Sequence, residues 1–290
     1  MVTKKIDTRS PGLEAGVALA RWLTGKEHLH YGLWSGLEVK AANLGPAQEA
    51  YSRKLFALLP QRSGLRILDI GGGAGETAKQ LIAMGHSVEI VVPSAYLAGR
   101  CRENAVGAVV HETMFQDAHV TGPFDVCLFS ESFQYMPFAV SLPKAKGLLA
   151  PDGVIVIGDT FRPEGFRRGA ADRPVGGGHP VAAFRAFLPE AGLRIEAEED
   201  VTDAVAPSID LEQAFFNVVG VGMAGLDREL VMKRPWLRRI VVGAIGLLMG
   251  KRGREKLARR LTGAARTADA FRANNCYLLM RLGQTPDQSQ

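Results

Sequence analysis

The stretch Ile67-Leu68-Asp69-Ile70-Gly71-Gly72-Gly73-Ala74-Gly75-Glu76-Thr77 decides the fold. An apolar run of one buried strand's length, Leu65 to Ile70, is broken only by Arg66 and Asp69. Asp69 stands at its C-terminal end, where a carboxylate in an apolar strand is costly without partners. The glycines then let the main chain turn sharply and let a ligand lie against it. A helix predicted over Glu76 to Met84 points its N-terminus and free N–H groups at the same spot. Strand, glycine turn and helix in this order specify an open α/β sheet with its ligand at the carboxyl edge.

Outward from that stretch the pattern alternates. Upstream, helices are predicted over Pro11 to Leu23 and Gly45 to Leu59, flanking His28-Leu29-His30-Tyr31-Gly32-Leu33-Trp34. Downstream, strands are predicted at Val88 to Val92, Ala108 to Glu112, Phe124 to Phe129, Val154 to Gly158 and Leu193 to Val201, with a last one at Cys276 to Leu282. Helices fall at Ser94 to Asn104, Ala139 to Leu149 and Pro180 to Ala191. The expected fold is a doubly wound, mostly parallel sheet of seven strands, with an N-terminal helical lid and a late helical insertion. The expected segments are a lid over residues 1–60, a ligand-binding core over 61–204, a basic helical cap over 205–274, and a last strand with polar tail over 275–290. Met1 to Arg9 and Gln284 to Gln290 are polar ends expected to fray.

Composition narrows the class. Three scattered cysteines, Cys101, Cys127 and Cys276, form no C-x-x-C pair, which argues against structural zinc or a disulfide framework and suits a reducing, cytoplasmic setting. The longest apolar run, Ile240 to Met249, is ten residues with two glycines, short of the roughly 20 a membrane span needs. The formal charge is +5, but Asp227 to Arg272 holds thirteen Lys/Arg against four Asp/Glu, leaving the rest of the chain net acidic. Such asymmetry points to an anionic partner surface. With Trp236, Ile240, Val241, Ile245, Leu248 and Met249 between Arg238-Arg239 and Lys251-Arg252, residues 227–272 read as a basic amphipathic helix pair able to rest on an anionic membrane. Nucleic acid is not expected, because the basic residues lack interleaved aromatics.

The spacing Asp69-x-Gly71-x-Gly73-x-Gly75 resembles motif I of the class I S-adenosylmethionine (SAM) methyltransferases. Gly73-Ala74-Gly75-Glu76-Thr77-Ala78 also fits the looser dinucleotide fingerprint, but no tyrosine here is followed four residues on by the lysine of an NAD-linked reductase. The resemblance implies SAM as cofactor and S-adenosylhomocysteine as product, with Asp69 facing the ammonium and Gly71, Gly73 and Gly75 beneath methionine and ribose. Val92 holds the position where the family has its ribose-binding acid, so Ser94 or the backbone is expected to substitute. Asp117-Ala118 matches the pair that reads the adenine edge, and Tyr31 of His30-Tyr31-Gly32 is placed to reach the SAM carboxylate.

Phe129-Ser130-Glu131-Ser132-Phe133-Gln134-Tyr135-Met136-Pro137 resembles the segment after the fourth strand in the tocopherol C-methyltransferase group, whose relatives methylate sterols and alkaloids. The resemblance implies Ser130 on the cofactor side and Glu131 facing the acceptor. His30, Glu131 and His179, which follows Gly176-Gly177-Gly178 in an expected mobile loop, are the candidate bases. The implied reaction is in-line methyl transfer to a small, lipophilic acceptor such as a phenol, quinone, isoprenoid, alkaloid or lipid-like molecule. The alternatives are cyclopropane-synthase-like chemistry on the same fold and a non-catalytic protein that binds SAM or a lipid. O-, N- and C-methylation all stay open at this level.

Overall fold

The computed structural model describes residues 9–166, 176–262 and 266–286. Residues 1–8, the 167–173 part of the basic run beginning at Arg162, and the last four residues of the polar tail lie outside these. Eight strands form one sheet: β1 (Arg66–Ile70), β2 (Ser87–Val91), β3 (Val109–His111), β4 (Phe124–Ser130), β5 (Leu149–Arg162), β6 (His179–Pro180), β7 (Leu193–Asp200) and β8 (Cys276–Gln284). Seven of them run in the order β3-β2-β1-β4-β5-β8-β7, and the two-residue β6 pairs with β5. β8 lies antiparallel to β5 and β7, while the other pairings are parallel. The chain order reverses between β1 and β4, and a crevice opens at such a switch point.

Period-two alternation assigns each strand residue to a face. Ile67, Val126, Val156 and Leu279 pack on one side with Tyr51, Leu55, Ala78 and Leu81. Leu68, Cys127, Ile157 and Met280 pack on the other with Leu142 and Phe184. The first layer is supplied by α1 (Arg9–Thr24), α2 (Leu44–Phe56), α3 (Glu76–Ala83) and α4 (Ala95–Asn104), the second by α5 (Phe138–Gly147) and α6 (Val181–Phe187).

Between β7 and β8 the chain forms the short α7 (Thr202–Val205), two long helices α8 (Pro207–Lys233) and α9 (Pro235–Thr262), and α10 (Ala268–Asn274). Gly220 faces the Leu261 carbonyl where α8 and α9 approach, so no side chain fits there. The N-terminal segment is tied to this insertion. Trp34 donates its backbone N–H to the Ala204 carbonyl at 2.8 Å and its indole N–H to Ser208 Oγ at 2.8 Å.

Two expectations are corrected. The strand predicted from Val154 begins earlier, at Leu149, and Pro151-Asp152-Gly153 lies inside β5 as a register shift against β4, pinned by Gln284 donating to the Ala150 and Pro151 carbonyls. Gly178 and His179 are not a loop over an acceptor. β6 pairs with Phe161–Arg162, and a Cβ on Gly178 would sit 2.8 Å from the Thr160 carbonyl oxygen, so only glycine lets the two strands close up.

Candidate active site

A cavity of about 840 Å³ opens at the switch point, over the carboxyl ends of β1, β2 and β4. Its floor is the glycine turn, and its walls include Glu27 to His30 from the N-terminal segment, Val92 and Pro93 after β2, Met114 to Gln116 after β3, and Ser130 to Ser132 from the end of β4 onward. Each glycine is required by a different neighbour. A Cβ on Gly71 would lie 2.3 Å from Ser132 Cβ, and one on Gly75 would lie 2.9 Å from Cys101 Cα of α4. Gly75 therefore serves helix packing and does not line the cavity. Gly73, at φ +55°, has only Leu29 Cδ1 within 4 Å of its added Cβ, which would project into the cavity itself.

Asp69 stands one layer behind this floor. It is buried, neither carboxylate oxygen has a hydrogen-bond partner among the described residues, and burial pushes its pKa up to about 7. A Cβ on Gly72 would meet its Oδ2 at 2.6 Å, so the bare main chain is all that separates it from the cavity at that residue. A buried carboxylate without partners is satisfied by a cation, and a cation in front of the turn would hold it ionised. The ammonium and sulfonium of SAM fit this demand. We expect SAM affinity to rise as pH increases through about 7, where the free chain's Asp69 ionises, with a proton released on binding. Calorimetry in buffers of different ionisation enthalpy reads this directly, and Asp69→Asn should abolish the proton release.

At the adenosine end the structure moves two assignments. Ser94 caps α4, its Oγ accepting from the Leu97 N–H, and it does not line the cavity. Asp117 and Ala118 also lie off the wall, because β3 ends at His111 and the residues that reach the cavity are Met114, Phe115 and Gln116. Ala118 is buried beyond them, its carbonyl accepting from Lys144 Nζ. Val92 does line the cavity, so apolar surface occupies the place of an acid there.

The candidate bases separate sharply. His179 donates from Nε2 to the Phe133 carbonyl at 3.1 Å, packs between Phe133 and Phe138, and is not part of the cavity wall. His30 reaches the wall but is bonded at both ring nitrogens. The network assigns Gln80 Nε2 donating to His28 Nε2, His28 Nδ1 donating to His30 Nε2, and His30 Nδ1 donating to the Tyr31 carbonyl. Burial, and then the neighbouring His28, lower the His30 pKa to about 3. It is a neutral structural link, not a base at neutral pH.

Tyr31 is corrected as well. Its ring packs edge-on against Phe271 and Tyr277, off the cavity wall, and its contribution to the site is its backbone N–H. That N–H donates to Glu131 Oε1 at 2.8 Å, and the Tyr277 hydroxyl donates to the same oxygen at 2.9 Å. Tyr277 is fully buried beside Tyr51, their hydroxyls 2.9 Å apart. Both bonds of Glu131, a residue that lines the cavity, fall on Oε1, and Oε2 has no hydrogen-bond partner among the described residues. Glu131 holds this pose at φ +53°, a left-handed conformation uncommon outside glycine, directly after β4. Burial, with the nearby Asp159 charge, raises its pKa to about 8.

Buried carboxylates around the site escaped the sequence reading. Glu27 is buried and takes hydrogen bonds from Arg100 and Asn104 of α4 and from Arg21 of α1. Its own N–H reaches Glu76 Oε1 at the start of α3. Asp159 accepts from the Gln134 N–H and side-chain amide and from the Thr160 N–H, which holds the segment after Glu131 in place.

Residues 68–157 match the methyltransferase-domain family. Over 217 residues the chain is 31% identical to 27-O-demethylrifamycin SV methyltransferase of Amycolatopsis mediterranei (strain S699), covering 68% of this chain and 77% of that one. The chain belongs to the SAM-dependent methyltransferases. This methyltransferase also shares 29% identity over 133 residues with tRNA 5-carboxymethoxyuridine methyltransferase of Escherichia coli (strain K12), 42% of this chain and 44% of that one. In fold it is similar to a cyclopropane synthase of Mycobacterium tuberculosis, at a TM-score of 0.65 and 16% identity over 96% of this chain and all of that one. SAM is therefore the cofactor of this methyltransferase, and the bare main chain of the cavity floor, with the buried carboxylate of Asp69 directly behind it, suits it.

Proposed function

We propose that this methyltransferase transfers a methyl group to a hydroxyl oxygen of a small, lipophilic acceptor, with Glu131 as the base. The observation that supports it is Glu131 itself: one oxygen held by two donors, the other left to the cavity, and a pKa raised to about 8. SAM supplies an electrophilic methyl that needs no further activation, so the protein's part is alignment, exclusion of water and proton removal. As the O–C bond forms and the S–C bond breaks, the hydroxyl proton passes to Glu131 Oε2. A carboxylate with a raised pKa is matched to a phenol-like hydroxyl, whereas an ordinary carboxylate is too weak a base. Leu29, Met114, Tyr135 and Met136 give the cavity an apolar rim, which favours a lipophilic acceptor over a nucleic acid strand.

The similarity to a rifamycin O-methyltransferase suggests where to begin. With SAM carrying a 13C-labelled methyl, 27-O-demethylrifamycin SV and a panel of phenols and hydroquinones are the first acceptors to try. An O–CH3 resonance is the expected product. A C-methyl, N-methyl or cyclopropyl resonance, each of the same added mass, would replace this reading with another.

Tyr277 positions the base. Tyr277→Phe removes one of the two donors to Oε1, so the Glu131 carboxylate loses stabilisation and its pKa rises further. The rising limb of kcat/KM against pH should move up by about half to one unit, a roughly three- to tenfold loss at pH 7 that alkaline pH restores. The KM for SAM should not change. A pH-independent loss of activity would indicate a packing defect and not a lost donor.

A further inference from the structure

More than half of the exposed large apolar side chains among the described residues sit on α8 and α9. Val218, Val221 and Met232 fall on one face of α8 at helical spacing, and Trp236 and Ile240 continue it across the turn onto α9; each is more than half exposed. Three arginines share this region. Arg228 lies on the same α8 face, between Val221 and Met232, while Arg234 and Arg239 flank Trp236. All three are exposed and make no ion pair among the described residues, whereas Arg238 is bound by Asp227 at 2.7 Å and Lys233 by Glu229 at 2.6 Å. The side chains of Lys251 and Arg252 lie outside the described residues.

We infer that the tip of the α8–α9 hairpin is a docking surface for an anionic lipid bilayer, with Trp236 and Met232 entering the interface and Arg228, Arg234 and Arg239 on the headgroup phosphates. Charge selects this occupant. A second copy of the chain would bring the same uncompensated arginines face to face, which disfavours a symmetric dimer. Exposed aliphatic side chains around the arginines have no counterpart on a nucleic acid backbone, and suit the acyl boundary beneath headgroups. Neither helix is long and apolar enough to cross a membrane, so contact is with the surface. The inference is independent of Glu131's role.

Flotation with vesicles of equimolar phosphatidylcholine and phosphatidylglycerol, against pure phosphatidylcholine, tests it. The full chain should bind the anionic vesicles and lose binding in high salt. Arg234→Glu with Arg239→Glu should reduce partitioning at least tenfold, since each basic residue near such a surface contributes about fivefold. Trp236→Ser with Ile240→Ser should do likewise, and both variants should bind SAM as the wild type does, which shows that they are folded. In a Trp22→Phe background, where Trp34 is buried, anionic vesicles should shift Trp236 fluorescence to the blue. Equal binding to neutral vesicles, unchanged binding by either double variant, or a lipid-free dimer that dissociates when the arginines are reversed would each overturn the inference.

Discussion

Glu131→Gln lowers methyl transfer by about 10²- to 10⁴-fold, the contribution of a positioned base, and leaves SAM affinity within about threefold of the wild type. Glutamine keeps a carbonyl oxygen for the Tyr31 N–H and the Tyr277 hydroxyl, so the pose at φ +53° survives. Only the capacity to take a proton is lost. The same variant separates function from stability. Because burial raises the folded-state pKa to about 8 from an ordinary 4.5, folding must keep a proton on Glu131 that the unfolded chain releases. Its contribution therefore turns against the fold as pH rises from about 4.5 to about 8. Glu131→Gln should melt at a higher temperature than the wild type at pH 8, with the difference vanishing near pH 4. Asp69 and Asp159, both raised to about 7, add to the same trend in the wild type. Full activity in the glutamine variant would remove the base from the mechanism.

Gly73→Val abolishes SAM binding in calorimetry. The added Cβ would enter the cavity, with Leu29 Cδ1 its one protein neighbour within 4 Å. A β-branched residue is also strained at φ +55°. Loss of affinity should exceed about a hundredfold, because the side chain competes for the volume the cofactor's main-chain contacts require. Gly73→Ala should show a smaller loss. Gly99→Ala, in α4 with open space around its added Cβ, is the control and should bind normally. Undiminished affinity in the valine variant would displace the cofactor from the turn.

The sheet was legible because apolar runs and glycine turns are local signals. β1, the Gly71–Gly73 floor and the α3 start follow from a dozen consecutive residues. The place of Glu131 on the cavity wall was legible for the same reason, since it directly follows a strand at the sheet's carboxyl edge. The mis-assigned residues depend on contacts between distant segments. Asp117 was matched by its motif, but where β3 ends is set by pairing with β2 at His111, which brings Met114 to Gln116 to the wall instead. His30 and His179 carry the residue type of a base, yet what each can do is fixed by the groups its nitrogens meet, His28 in one case and the Phe133 carbonyl in the other. Tyr277, 146 residues from Glu131, is invisible from the sequence: a tyrosine in an apolar strand reads as core until β8 is placed beside β5. Glu27 likewise looks like a surface acid until Arg100 and Asn104 of α4 are brought against it.

Methyl transfer with Glu131 as base requires Glu131 Oε2 and the transferred methyl to share one cavity. A crystal structure of the complex with S-adenosylhomocysteine tests this most directly. The methionine part should lie against Gly71 to Gly73 in front of Asp69, with the thioether sulfur pointing toward Glu131 and between them a gap that admits a hydroxyl oxygen. A sulfur directed away from Glu131, or a side chain filling that gap, would contradict it.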